Sequence, residues 1–241
     1  MSIKIVGFGP GSNGAMTADA VNAVKTSEVL VGYTGYIEYV ESLNSSAEII
    51  QTGMRGEKER CRIAIEHALK GKRVCIVSSG DAGVYGMASL IYEMSAPYPK
   101  LDIEVIPGVT AVLSCAAILG SPVSNDFACV SLSDLLTPWE VIEKRLRGAA
   151  AGDFVIAIYN PSSRGRADNL RRACEILLEI KPACTICGVV KNAYRTGQEH
   201  FYCNLEELKH TETDMFTTII VGNKNTGMIN GKMVTARGYD I

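Results

Sequence analysis

SSGDAGVYG at residues 78–86 follows the apolar run RVCIV at 73–77, and after one further strand-like segment comes IPGVTAV at 106–112. A parallel strand that ends in a glycine-rich turn leaves backbone N–H and C=O groups unpaired at its carboxyl end, where small residues let a ligand approach closely. Asp81 is the one charged group in the first of these corners. A Ser-Gly-Asp turn alone is ordinary turn chemistry. Two such corners in succession point to a ligand crevice.

Outward from these corners the first half alternates strand and helix. IKIVGFG at 3–9 is a buried type of strand, Thr17 caps a short helix through Val24, and strands follow at EVLVG (28–32) and, more weakly, at 48–51. Residues 57–70 place Cys61, Ala64, Ile65, Ala68 and Leu69 on one helical face before Gly71 ends the helix. Strands at 73–79 and 103–106 alternate with helices at 87–94 and 110–119. This order predicts an α/β fold with a mostly parallel sheet and helices on both faces.

Gly, Pro, Ser and Asn cluster in GSPVSND at 120–126, which divides the chain into an α/β domain over 1–122 and a second over 123–241. The second half restarts with FACVSLS and a helix from Thr137-Pro138-Trp139-Glu140, read as a Thr cap with Pro in the first turn and Glu completing a capping box. Strands at 153–160, 185–192 and 217–223 follow, GKMVTA at 231–236 adds a possible edge, and helices at 167–180 and 204–209 fill the gaps.

With 241 residues, 47% of them hydrophobic, and a formal net charge of −2, the chain is a globular protein without the basic run that nucleic acid or an anionic membrane would require. No charged-then-apolar leader precedes the first strand and no apolar run reaches the roughly 18–20 residues of a spanning helix, so a cytoplasmic location is expected. The eight cysteines fall mostly in apolar periodic segments and read as buried, reduced thiols. Cys184 and Cys187 form a CxxC inside strand-like TICGVV, where that spacing turns the side chains to opposite faces. His67, His200 and His210 have no ligand spacing. No metal site is expected.

GFGPGS at 7–12 invites a dinucleotide reading, but the fingerprint needs an acidic residue about 20 positions on, and EVLVGYTGY offers Gly32 and Tyr33 there. Without Gly-Lys-Ser/Thr a P-loop is excluded. The loop is then close packing or the floor of another pocket.

Seven segments in order, GFGPGS, SSGDAGVYGM, VIPGVTA, SLSDLLTPW, IYNPSSRGR, VVKNAYR and TTIIVGN, span nearly the whole chain. Together they resemble the tetrapyrrole (corrin/porphyrin) methyltransferase family, and SLSDLLTPW, the YNP segment and VVKNAYR narrow the resemblance to the precorrin-3B C-17 methyltransferases of cobalamin biosynthesis. The resemblance implies two α/β domains with a cofactor cleft between them, S-adenosylmethionine as methyl donor leaving as S-adenosylhomocysteine, a precorrin or cobalt-precorrin 3 substrate methylated at ring carbon 17 with ring contraction, and a homodimer. Its cofactor contacts would be Pro10, Gly80, Asp81, Val84, Thr110, Ala111, Tyr159, Asn160, Ala193, Thr217 and Thr218.

A sulfonium methyl is already electrophilic and a reduced tetrapyrrole carbon is enamine-like, so such a reaction needs alignment and exclusion of water more than a protein nucleophile. Ring contraction also moves protons, for which Asp81, Asp134 and Glu57 are the candidates; as a turn carboxylate Asp134, and as a first-turn residue Glu57, have ordinary structural readings too. Substrate carboxylates call for basic partners, with Arg55, Arg60, Arg164, Arg166 and Arg195, and Ser133 beside them, in the matching region; each arginine can equally be a solvated surface charge. The family pattern has a histidine where this chain has Asn125, which excludes an imidazole there, and an arginine where it has Ser162. Three rival readings remain: a sister methyltransferase acting on another ring carbon, a nicotinamide-dependent oxidoreductase, and a tetrapyrrole carrier without turnover.

Overall fold

The computed structural model describes residues 1–163 and 167–240. Its internal contacts divide the chain into Met1–Ala111 and Val112–Ile241, a boundary that falls ahead of the turn-rich stretch 120–126.

The first unit runs β1 (Ser2–Gly7), α1 (Ala18–Thr26), β2 (Val29–Tyr33), α2 (Thr34–Ile37), β3 (Glu48–Thr52), α3 (Glu57–Leu69), β4 (Arg73–Ser78), α4 (Ala88–Ser95) and β5 (Asp102–Ile106). Its five strands lie in the order β3-β2-β4-β1-β5, all parallel. Because strand side chains alternate, Ile3, Ile5, Val29, Val31 and Ile76 face α3 and α4, while Val6, Phe8, Leu30, Cys75 and Val77 face α1. Both faces are therefore buried, which is why these strands read as continuous apolar runs.

Local chemistry fixes the helix ends. The Thr17 hydroxyl accepts from Ala20 N–H at 3.1 Å, and the Asn44 amide donates to the carbonyls of Val24 and Ser27 at 2.8 and 2.9 Å, closing the far end of α1. Helix α3 buries Cys61, Ala64, Ile65 and Ala68 as the periodicity predicts, but Leu69 is 38% exposed and Arg60 is buried. Leu69 is the last residue of the helix.

The second unit comprises α5 (Ala111–Leu119), β6 (Gly120–Ser121), β7 (Phe127–Ser131), α6 (Trp139–Ala151), β8 (Val155–Tyr159), α7 (Asn169–Leu178), β9 (Ile186–Lys191), β10 (Glu199–Asn204), α8 (Leu205–Leu208), β11 (Thr217–Val221), β12 (Thr226–Ile229) and β13 (Lys232–Thr235). Its main sheet, β10-β9-β11-β8-β7, is mixed: only β7 and β8 run parallel. One face packs Ile156, Ile158, Val189, Ile219 and Val221 against α6, α7 and α8. On the other face Gly188 meets Leu119 of α5; a Cβ there would lie 2.5 Å from Leu119 Cδ1.

Several local expectations give way here. Helix α6 is capped by extended Pro138, with no side-chain cap bond, so Glu140 falls one position short of where a capping box needs it. GKMVTA is no edge: β13 lies between β12 and β6 in a three-stranded sheet. Cys184 is exposed in the turn ahead of β9, and only Cys187 lies in the strand, buried. No helix among the described residues is long and apolar enough to cross a membrane.

Candidate functional site

The carboxyl rim of the first sheet is built from backbone. Gly9 and Gly80 bridge the ends of β1 and β4, with Gly9 N–H donating to Gly80 O at 3.0 Å and Gly80 N–H to Gly9 O at 2.8 Å. Gly108, just beyond β5, leaves no space for a side chain, since a Cβ would lie 2.2 Å from Gly80 O and 2.4 Å from Gly7 O. The three glycine turns of the sequence thus pack directly on one another. The chain leaves β1 for α1 on one face and β4 for α4 on the other, the parting of adjacent strands at which open α/β sheets bind ligands.

Asp81 is half-buried in this rim, and both its oxygens are engaged: Oδ1 accepts from Gly83 N–H at 2.8 Å and Oδ2 from Gly108 N–H at 3.0 Å. It ties the turn after β4 to the turn after β5. Gly80, in the left-handed region at φ 67°, faces Thr110 and Ala111, whose backbone atoms lie 3.6 Å from where its Cβ would be. Pro10, Gly80, Asp81, Thr110 and Ala111 are therefore brought together, with Val84 exposed in the same turn.

A second cluster forms at one end of the mixed sheet. Ser131 is level with Tyr159 and Lys191 with Thr217, so the ends of β7, β8 and β9 meet the start of β11. Asn160 and Asn192 leave their strands at φ 51° and 50°, a conformation asparagine tolerates. The Asn160 amide donates to Ser131 Oγ at 3.0 Å. Buried Tyr159 accepts from Val112 N–H at 2.9 Å, at the start of α5. Thr217 donates to Asp214 Oδ1 at 2.9 Å, and Asp214 Oδ2 pairs with Lys191 at 3.0 Å. Partial burial alone would raise the Asp214 pKa, but the bonds from Lys191, Thr217 and Phe216 N–H outweigh it and hold the carboxyl below its ordinary value. Thr218 is buried against Cys115, whose thiol burial pushes up to about 12, so it is neutral and unreactive near pH 7. Ala193 follows Asn192 in the turn after β9.

The remaining expected site residues divide sharply. Glu57 pairs with Arg60 at 3.2 Å, and Arg60, 5% exposed, also donates to Thr52 Oγ1 and Gly53 O at 2.6 and 3.0 Å. Arg55 is exposed in the turn between β3 and α3. Ser133 and Asp134 follow β7, and Arg195 lies in the turn after β9, both at the end of the sheet that carries Asn160. Arg164 and Arg166 lie outside the described residues. Ser162 is turned inward, its hydroxyl 3.0 Å from that of Thr213, while Asn125 is exposed and accepts from Asp126 N–H. Sequence reasoning missed Ser131, Lys191 and Asp214; the Asp-x-x-Thr spacing ahead of β11 is a turn signal that could have found the last.

Among the described residues no group of three or more His, Cys, Asp or Glu is arranged to hold a metal ion. Every cysteine is free, and burial pushes Cys61, Cys75 and Cys174 to about 12. The clusters offer shaped backbone, hydroxyls and amides in place of an activated nucleophile.

Residues 2–209 match the family model described as Tetrapyrrole (Corrin/Porphyrin) Methylases. The chain belongs to this family. A "Probable cobalt-factor III C(17)-methyltransferase" of Salmonella typhimurium is 46% identical over 99% of this methylase and 100% of its own length. A "Precorrin-3B C(17)-methyltransferase" of Sinorhizobium sp is 37% identical, covering 95% of this chain and 91% of its own. Some relatives are longer: the methylase spans 45% of the "Cobalt-factor III methyltransferase" of Priestia megaterium, at 45% identity. The crystal structure of the methyltransferase CobJ superposes with a TM-score of 0.90 at 34% identity, over 97% of this chain and 99% of that one. The family assignment accounts for the seven ordered segments and for a rim made of glycine backbone.

Proposed function

We propose that this methylase transfers a methyl group from S-adenosylmethionine to ring carbon 17 of a cobalt-factor III or precorrin-3B type of tetrapyrrole, with contraction of the macrocycle, in cobalamin biosynthesis. The observation that carries the reading is the end-to-end 46% identity with the Salmonella typhimurium protein bearing the cobalt-factor III C(17)-methyltransferase name. The lower identity, 37%, to the precorrin-3B-named relative favours the cobalt-containing substrate.

S-adenosylmethionine supplies an electrophilic sulfonium methyl. The chain's own part is to hold and align. On the first unit, Pro10, Gly80, Asp81, Val84, Thr110 and Ala111 take the cofactor, with the backbone of Thr110 and Ala111 beside Gly80. On the second, Tyr159, Asn160, Ala193, Thr217 and Thr218 contribute, with Asp214 fixing Thr217. Asp81 also joins two turns through its bonds to backbone amides, and Glu57 pairs with Arg60. The proton transfers of ring contraction are assigned to Asp134, half-buried in the turn after β7. Arg195 and Ser133, and Arg164 and Arg166 beyond the described residues, are assigned to the substrate. A homodimer in the cytoplasm is part of the same reading.

The test is calorimetric titration with S-adenosylhomocysteine, NADH serving as control, followed by incubation of the enzyme and S-adenosylmethionine with cobalt-factor III and with precorrin-3B. Thioether binding and a product one methyl heavier, faster from the cobalt substrate, are expected. Binding of NADH alone would overturn the methyltransferase reading; pigment binding without methyl transfer would favour a carrier.

A further inference from the structure

Five segments leave the carboxyl ends of the parallel strands in the first unit: residues 8–17, 34–47, 53–56, 79–87 and 107–110. Arg55 is the one lysine or arginine among them; the acidic residues are Glu38, Glu41 and Asp81. The strand registers put these exits on one rim, with Thr52 opposite Tyr33, Ser78 opposite Gly7 and Ile106 opposite Val6. Two strand spacings separate β3 from β4, about 10 Å at the usual 4.8 Å per strand. Arg55 therefore stands on the same rim as the Gly80–Asp81 turn, one ligand's breadth away.

Its backbone is unusual. Arg55 has φ 63°, a left-handed conformation that costs energy for any residue with a Cβ, in a turn whose flanking positions are both glycine. What holds it there is Arg60. This buried guanidinium reaches back to Thr52 Oγ1, Gly53 O and the Glu57 carboxylate, so both ends of the turn Gly53–Gly56 are fastened to one rigid group. The Arg55 side chain itself is exposed and makes no hydrogen bond or ion pair among the described residues. A buried arginine is thus used to present a second, unpartnered one in a strained conformation.

We infer that Arg55 is the substrate-carboxylate contact of the first unit, setting specificity for an acidic tetrapyrrole, and that Arg60 is its positioning residue and touches no substrate. The inference rests on the methyltransferase reading, and it separates two arginines that the sequence treats alike. A guanidinium pairs with a carboxylate in bidentate geometry, which a lysine reproduces only as a point charge.

The test uses uroporphyrin III, a polycarboxylate tetrapyrrole, as a fluorescent probe in the presence of S-adenosylhomocysteine, whose own binding is followed separately by calorimetry. Arg55→Gln and Arg55→Gly should each weaken probe binding roughly tenfold, as loss of one charge-assisted contact does. Both should flatten its salt dependence and leave thioether affinity unchanged. Arg55→Lys should restore part of the affinity and most of the salt dependence. Arg55→Gly removes the backbone strain, so its melting temperature should hold or rise while binding falls, a combination a structural residue would not give. Thr52→Val, which takes one partner from Arg60 without burying an unpaired charge, should weaken the probe and spare the thioether. Wild-type affinity and salt dependence in Arg55→Gln would overturn the assignment. Failure of the wild-type enzyme to bind S-adenosylhomocysteine at all would overturn the methyltransferase reading, and this inference with it.

Discussion

Gly108→Ala places one methyl group where three backbone atoms already lie, at 2.2 Å from Gly80 O, 2.4 Å from Gly7 O and 2.6 Å from Gly7 C. None belongs to a flexible side chain. Gly80 O accepts from Gly9 N–H, and Gly7 is the last residue of β1, in register with Ser78 of β4. The turn after β5 must therefore lift off the rim. Overpacking of this kind costs about 1–3 kcal/mol, and lifting the turn also breaks the bond from Gly108 N–H to Asp81 Oδ2, a charged acceptor worth about 1.5–3 kcal/mol. Together these amount to about 2.5–6 kcal/mol. At about 2–4 °C per kcal/mol for a chain of this length, the melting temperature should fall by roughly 5–24 °C. Because Thr110 and Ala111 move with the turn, the variant should also lose the added stability that saturating S-adenosylhomocysteine gives the wild type, about 2.7 kcal/mol at a hundredfold excess over Kd. The assay is a pair of thermal melts, with and without the thioether. Gly14→Ala is the control, since its Cβ would meet no atom within 4 Å. A Gly108→Ala protein that melts within about 2 °C of wild type and gains as much from the ligand would refute the packing argument.

Tyr159→Phe keeps the buried ring but removes the acceptor of Val112 N–H; a loss of about 1–2 kcal/mol is expected in urea unfolding, and an unchanged midpoint would show that the hydroxyl contributes nothing there. For Asp214 the sign follows from its lowered pKa. Its stabilisation is fully present above the unfolded carboxyl value of about 3.9 and is lost as pH falls through the lower folded value. Asp214→Asn should therefore flatten the acid limb of stability below about pH 5, and equal slopes in both proteins would contradict the pairing with Lys191.

The parallel sheet was legible because burial on both faces leaves unbroken apolar runs and glycine ends each strand, both local signals. The second unit was harder for a physical reason. Antiparallel pairing of β9, β10 and β11 is set by register between distant segments, and HFYC in β10 carries too little alternation to announce an edge strand. Thr137 looked like a cap because local chemistry allows it, yet extended Pro138 starts the helix one residue later. Within the candidate site, the glycine turns were legible from residue type, whereas Asn160 entered only through the family resemblance and the left-handed exits at Asn160 and Asn192 are seen in the structure. Arg60 and Asp81 were visible as charges, but whether a charge meets solvent, ligand or its own backbone depends on neighbours that sequence spacing does not give.

That ambiguity follows from the chemistry the fold serves. Methyl transfer from a sulfonium centre gains more from fixed geometry than from an activated side chain, so the charged groups best placed to look catalytic are available for holding backbone. Asp81 joins two turns, Glu57 and Arg60 fasten a third, and Asp214 with Lys191 fixes the start of β11. Each of these groups is bonded to other atoms of the protein, and the cofactor contacts proposed beside Asp81 come from uncharged residues such as Gly80, Ala111, Thr217 and Asn160. A search for acids and bases in such a chain finds the scaffold first. Candidates for ligand contact emerge instead from asking where turns are built of glycine and which charge, like that of Arg55, is held in place without a partner.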